Sequence, residues 1–485
     1  MKYDFIVVGS GPASSVIASR LAHSPSAPQG YQTIPQKHLL NRQINYSAGK
    51  GLGGSSCINF AFYTRGPNAD WDEWSNIVGD DFFNARNAEK MFKRFEGFEL
   101  VPTKEHLKYV NPFSEHHSFL GPVKISVPKV WERNMEAVIK VAEDFGLPSN
   151  LDINSGNPIG NGVDPATGSM AKRTTAATAY LSKPPNNLTI MTHALATKII
   201  FEGKKTIGTP KLLLLSGIGA KEELSAHGIP HVVDLPGVGK NLQDHPHIPL
   251  TVQLTDGKHD RARWADAEVI KASRAKFEKD GSGSLSILYN TVVVGFFRDI
   301  DAVYNSKEFA DLPIDVQRFI KTPTIPTWEQ AVLCPTRGTA TLASSNPTDP
   351  PLIDPAFFSH PFDRRSFIEA IRISYALLTC PANAKDTTAT YMAPKSTSDD
   401  DIWTYIQENV VSTFHPGGTA KMGKDGDGMA VVDARFRVMG VEGLRVADLS
   451  VVPLLPNCHT VSTGYLIGEL AAERLVREYG LDLSE

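Results

Sequence analysis

The chain opens on YDFIVVGSGPASSVIASRLA, an apolar run, a turn with two glycines and a helical segment, all within residues 3–22. Residues 3–8 read as a buried parallel strand and 13–22 as a helix entered through a tight turn, the first part of a dinucleotide-binding unit. Gly9 and Gly11 stand where the turn and the close approach of a pyrophosphate exclude side chains. Ser10, Pro12 and Ala13 complete the turn and the helix start, whose orientation favours an anion. The third small position is Ser14, which still permits fairly close packing of helix on strand. A complete unit continues into a second strand ending in an acid about 20 residues further on, where the ribose hydroxyls bind. Here residues 24–36, SPSAPQGYQTIPQ, read as loop, and no Asp or Glu occurs between Asp4 and Asp70. The usual anchor for an adenosine half is therefore missing.

The 485 residues suit two or three domains, and a formal net charge of -4 argues against nucleic acid or an anionic membrane as main partner. A small-molecule substrate is expected. No apolar run approaches the ~20 residues of a membrane span, and strand-like residues begin at Tyr3 with no leader pattern ahead of them. An intracellular, cytoplasmic location is the expectation. Cys57, Cys334, Cys380 and Cys458 form no CxxC pair, so structural zinc is not expected. His245 and His247 in QDHPH lack carboxylate or cysteine partners at ligand spacing and read as structural loop histidines, leaving no metal site.

Further along, GKGLGGSSCINF (49–60) is a second glycine-rich segment, and residues 71–100 read as amphipathic helix. Residues 186–202 read as two short strands, 208–229 as two helices around Gly217 and Gly219, and 286–298 as strand. Residues 362–379 read as helix, 443–453 as a strand leaving a turn, and 463–479 as a strong helix stopped by Gly480.

Three long segments, GKGLGGSSCINFAFYTRGPNADWDEW (49–74), PKLLLLSGIGAKEELSAHGIPHVVDLPGVGKNLQDH (210–245) and the stretch from FHPGGTAKMG to PNCHT (414–460), resemble the glucose-methanol-choline oxidoreductases in content and order. FHPGGT and PNCHT are most similar to the fungal aryl-alcohol oxidase branch. The resemblance implies an α/β fold, α+β overall. Its FAD-binding domain would be discontinuous and Rossmann-like, built from residues 1–66, 164–249 and 410–485 and here missing strands. A substrate domain of antiparallel sheet with helices would take 67–163 and 250–409.

It also implies that a primary or secondary alcohol, aromatic or allylic in this branch, loses its proton to a histidine while hydride passes to flavin N5. His415 matches that base, and His459 matches the second group holding the alcohol oxygen. Gly53, Gly54, Ser55 and Ser56 match the loop near the FAD diphosphate and flavin, Asn59 a residue lining the flavin, and Ala447 and Asp448 the turn that approaches the diphosphate. Phe60 and Phe414 match aromatic positions that would sandwich a flat substrate. The chemistry agrees, because a neutral imidazole takes a hydroxyl proton at working pH and a second donor can fix the alkoxide.

Two pieces of the implied cofactor domain are absent: the second strand with its terminal acid, and a strand pair ahead of GTPKLLLLSGIGA. Both losses fall on the adenosine side, so weak FAD binding is expected. Three readings stay open. One is a flavin-dependent alcohol oxidoreductase. Another is a FAD-depleted enzyme that uses its histidine pair for cyclisation, dehydration or isomerisation in secondary-metabolite biosynthesis. The third is a non-catalytic relict that binds a small molecule.

Overall fold

The structure, a computed structural model, describes residues 4–18, 27–99, 104–111, 115–127, 131, 135–169, 172–199, 210–255, 266–280, 282–283, 285, 293–298, 301–328 and 336–481. Helices and short strands alternate along the chain, the mixed class that the sequence implies. Its spine is the closing helix Val461–Tyr479, buried continuously from Ser462 to Ala471. Gly464 and Gly468 lie four apart and so share one face. That face takes the opening helix Pro12–Ala18 at close range: a Cβ on Gly468 would stand 2.6 Å from the Val16 Cβ, and one on Gly464 3.1 Å from that of Pro12. The helix ends at Gly480, φ 61°, which donates its N–H to the Val476 carbonyl, so the expected glycine stop forms. Buried Glu469 and Glu473 on the same helix lie 3.5 and 2.9 Å from Arg94, the cation that burial of a carboxylate requires.

Arg94 belongs to Ala85–Phe95, which with Asn68–Val78 carries an aromatic core. Trp74 stacks on Phe83 with centroids 5.3 Å apart, and Phe95 meets Tyr465 of the closing helix at 5.3 Å. One apolar core thus runs from Ala13 and Val16 through Trp71 and Phe98 to Val431 and Leu470. A smaller one gathers Leu39, Trp328, Phe358, Phe367 and Ile402.

Several strand expectations are corrected. Residues 4–10 form no strand, and Phe5 and Ile6 are exposed. A parallel strand needs a neighbour to accept its backbone bonds, and every sheet among the described residues has only two strands. Conversely, the expected loop at 24–36 contains strand Ala27–Gln32, paired antiparallel with Asn45–Lys50 so that Tyr31 faces Tyr46. The ladder offered by 45–50 overrides the Pro and Gly signal, which an edge strand tolerates. Residues 186–199 are irregular and mostly exposed, with 200–202 outside the described residues. Residues 443–453 make only the bridge Arg437↔Arg445 and a turn at Leu449–Val451, because Asp448 caps Ser450 N–H at 2.8 Å and bends the chain. Of 286–298, Val293–Phe296 is strand against Gly160–Val163, and 286–292 lies outside the described residues.

Candidate active site

His415 and His459 stand in separate loops, and each loop is tied down by a buried carboxylate. The first loop is one arm of an antiparallel ribbon in which Pro246–His247 pairs with Val411–Ser412. Gln243 and Gly417 extend it by exchanging N–H···O bonds, each 3.0 Å. Asp244 Oδ1 accepts the backbone N–H groups of His245 at 2.8 Å and His415 at 2.9 Å, while Oδ2 accepts the hydroxyls of Ser412 and Tyr46. Phe414, next to His415, holds the left-handed φ of 61°, a conformation that costs an L residue about 1–2 kcal/mol. Its N–H bond to Ser412 Oγ, 2.7 Å, helps hold it there. Burial pushes Asp244 up to about 6 despite four donors.

The second loop rests on the start of helix Asn68–Val78. Asp70 accepts Asn457 N–H at Oδ2, 2.6 Å, and the Asn457 side-chain amide at Oδ1, 2.8 Å. Burial pushes Asp70 up to about 7. Two residues on, His459 donates its backbone N–H to Thr64 Oγ1 at 2.6 Å, and its ring stacks on Phe62 with centroids 4.5 Å apart and planes at 15°.

These anchors bring His415 and His459 together, ring centroids 5.3 Å apart and planes at 82°. A third imidazole joins them: His245 lies 5.2 Å from His415 by centroids, with the two Nδ1 atoms 3.0 Å apart. The sequence reading of His245 as a structural loop histidine did not include this contact. Nothing in the spacing of QDHPH indicated the ring opposite it, 170 residues away; an acid directly before the histidine was the one available signal. Burial, then His245 and His459, hold His415 well below the usual imidazole range. Burial, then His459, take His245 down to about 3. Both rings are neutral at pH 7, and each keeps a lone pair on one ring nitrogen. His245 and His459 are buried, whereas His415 is half-exposed.

The cofactor candidates gather in two apposed loops. Gly53 donates its N–H to Ser10 O at 2.8 Å, and Ser10 Oγ donates to Gly51 O at 2.7 Å. Gly54 is so close that a Cβ would sit 2.6 Å from Gly11 Cα, while a Cβ on Gly11 itself would meet, among the described residues, nothing within 4 Å beyond its own chain neighbours and helix backbone. Gly9, φ 104°, and Ser55 are exposed beside that open side. This bare backbone edge fits a diphosphate, which needs approach without side chains. Ser56 turns inward instead, its Oγ accepting Ala176 N–H at 2.9 Å, and Ala13 and Ala447 are core. Asn59 Oδ1 accepts from Ala61 N–H and Arg173, and Asp448 caps its turn. Pro12 lies on Gly464, five residues after His459. The closing helix, which begins at Val461, thus joins the opening turn to the loop that carries His459. Phe60 and Phe414 are 58% and 40% exposed, available to an outside ring rather than locked in the core. Among the described residues, no group of three or more His, Cys, Asp or Glu could hold a metal ion, and no helix is long and apolar enough to cross a membrane.

The chain is a mixed helix-and-sheet protein with converging imidazoles and a bare glycine edge, and comparison with known proteins identifies its class. Family models described as GMC oxidoreductase match residues 3–208 and 335–468. The chain is 31% identical to an alcohol dehydrogenase [acceptor] of Pseudomonas putida over 98% of its length and 96% of that protein. It is 29% identical to oxygen-dependent choline dehydrogenase 1 of Chromohalobacter salexigens, covering 98% and 95%. The fold is that of a fungal aryl-alcohol oxidase (TM-score 0.87, 22% identity, 99% of both chains). It is equally that of an FAD-dependent oxidoreductase from Chaetomium thermophilum (TM-score 0.88, 24% identity, 99% and 100%). The chain belongs to the GMC oxidoreductase family and is an enzyme of that class.

Proposed function

We propose that this enzyme oxidises a primary or secondary alcohol, aromatic or allylic, with His415 as base and His459 as the group that holds the alcohol oxygen. The observation that carries the reading is the convergence of these two rings, 5.3 Å apart and nearly perpendicular, from separately anchored loops. His415, kept neutral by burial, takes the hydroxyl proton on its Nε2; His459 hydrogen-bonds the oxygen as it gains alkoxide character, which favours loss of hydride from the adjacent carbon. Gly9 to Ala13, Gly53 to Ser56, Asn59, Ala447 and Asp448 hold FAD, which when bound supplies the hydride acceptor. Phe60 and Phe414 offer exposed rings for a flat substrate. The dehydrogenase and oxidase relatives support an alcohol as substrate.

A second reading draws on the sheets. With no sheet beyond two strands among the described residues, the non-redox use of the same histidine pair in cyclisation, dehydration or isomerisation keeps its motive. One experiment separates them. Purified protein loaded with FAD and mixed anaerobically with an aryl alcohol should lose its visible flavin absorbance, and His415→Ala should slow that loss by roughly 10²–10⁴-fold, the usual worth of a general base. Bleaching at an unchanged rate in the variant would exclude His415 as the base. A colourless protein that refuses FAD yet transforms a substrate would establish the second reading.

A further inference from the structure

We infer that His245 is a positioning residue for His415: it accepts the His415 Nδ1–H and fixes that ring in the tautomer with a free Nε2 lone pair. The inference rests on the reading of His415 as base and extends it to the atom that makes it one.

The argument begins with the 3.0 Å between the two Nδ1 atoms. Two lone pairs, or two N–H groups, would repel at that distance, so one proton lies between them. Each neutral ring carries a single N–H. If His245 were the donor, the His415 proton would sit on Nε2, and its only lone pair would already be engaged at Nδ1. Such a ring has no nitrogen left for an alcohol. If His415 is the donor, Nε2 is free, and His245 carries its own proton on Nε2.

The pair is rigid enough for this to matter. Asp244 Oδ1 binds the backbone N–H of both histidines, and Thr413 donates its N–H to His245 O at 3.0 Å, so neither ring can drift from the other without breaking the ribbon. The groups around the pair are Asp244 with its donors Tyr46 and Ser412, and the His459 ring. When the alcohol O–H bond breaks and the N–H bond forms at His415 Nε2, the Nδ1–H stays on His415 and is donated to neutral His245 by a ring that now carries the positive charge, which strengthens the hydrogen bond, and no other reactant is required. In metal sites a partner on the far nitrogen of a ligating imidazole is worth about 10–100-fold, and we take that as the scale for His415.

The test reads the tautomer first, in protein without added FAD. Long-range ¹H–¹⁵N correlation spectra of ¹⁵N-histidine-labelled protein, assigned by comparison with His415→Asn, should show His415 protonated at Nδ1 and bare at Nε2. His245→Phe, which keeps bulk but offers no acceptor, should move His415 toward the Nε2–H form and lower kcat about 10–100-fold with little change in KM. His245→Asn places an amide oxygen on the same carbon as the lost nitrogen, and should restore both the tautomer and most of kcat. A wild-type His415 protonated at Nε2, or a tautomer unmoved by His245→Phe, would overturn the inference without any variant having to be active. The expected tautomer together with full activity in His415→Ala would instead defeat the base reading and leave the hydrogen bond standing.

Discussion

Gly11→Ala separates what the glycine turn does for the fold from what it does for a ligand. Gly11 is half-buried, has no left-handed φ, and meets nothing within 4 Å of its Cβ position. Alanine therefore fits the free protein, whose stability should hold or rise by about 0.4–1 kcal/mol, the usual gain from restricting the unfolded chain. The added methyl stands on the open side, where a diphosphate would approach the backbone. Losing one charge-assisted hydrogen bond costs about 1.5–3 kcal/mol, and at about 1.4 kcal/mol per decade the FAD dissociation constant should rise roughly ten- to hundredfold. FAD titration followed by fluorescence quenching, with thermal melts of the free protein alongside, reads both quantities. Gly54→Ala is the contrast: its Cβ would meet Gly11 Cα at 2.6 Å from a φ of 51°, so it should lower the melting temperature even with no ligand present. Unchanged FAD affinity in Gly11→Ala, at unchanged stability, would refute the placement of the diphosphate on this edge.

Asp70 gives a pH test of the loop that holds His459. Its carboxyl titrates near 7 in the fold against an ordinary 3.8, so the folded protein keeps a proton that the unfolded chain has lost, and stability falls as pH rises from about 4 to 7. Three units correspond to roughly 4 kcal/mol, and Asp70→Asn should remove that slope: denaturant midpoints of variant and wild type should diverge in the variant's favour from pH 5 to pH 8. Parallel curves would mean that Asp70 ionises normally. Gly468→Ala sets two effects of opposite sign against each other. Helix propensity alone would add about 1 kcal/mol; the contact with Val16 Cβ at 2.6 Å and Ala13 O at 2.9 Å should cost about 1–3 kcal/mol by overpacking. A lower melting temperature is expected, and a higher one would show that the opening helix is not held against this face.

What could be read from the sequence follows the range of each interaction. The closing helix was legible because its periodicity and its glycine stop are local, and both forms are present at Val461–Tyr479 and Gly480. The opening strand was not, since YDFIVV states only a propensity and the neighbour that would accept its backbone bonds lies elsewhere or is missing. The same non-local term made strand Ala27–Gln32 out of a segment rich in Pro, Gly and Ser, because Asn45–Lys50 supplied the ladder. At the site, the motifs around His415 and His459 identified the two rings. They could not show that Asp244 reaches Tyr46 across 198 residues, or that Asp70 reaches Asn457 across 387. Those contacts are side chain to distant loop, and no period or spacing records them.

The distribution of these anchors bears on how far the placement of the two histidines depends on the opening glycine turn. His415 is fixed by Asp244, Ser412 and the ribbon, and His459 by Asp70, Thr64 and Phe62. None of these residues lies in 3–8, read from the sequence as a buried parallel strand, or in 186–202, read as two short strands. The pair is therefore held by bonds that persist whether or not a sheet forms behind the glycine turn. Among the described residues it connects to that turn through the first part of the closing helix, Gly464 on Pro12, and through the second glycine loop, where Gly54 abuts Gly11 and the chain runs on to Phe62 and Thr64. A change confined to the opening turn, such as Gly11→Ala, should then lower FAD affinity while leaving the imidazoles in register, so that activity saturates at higher FAD with an unchanged limiting rate.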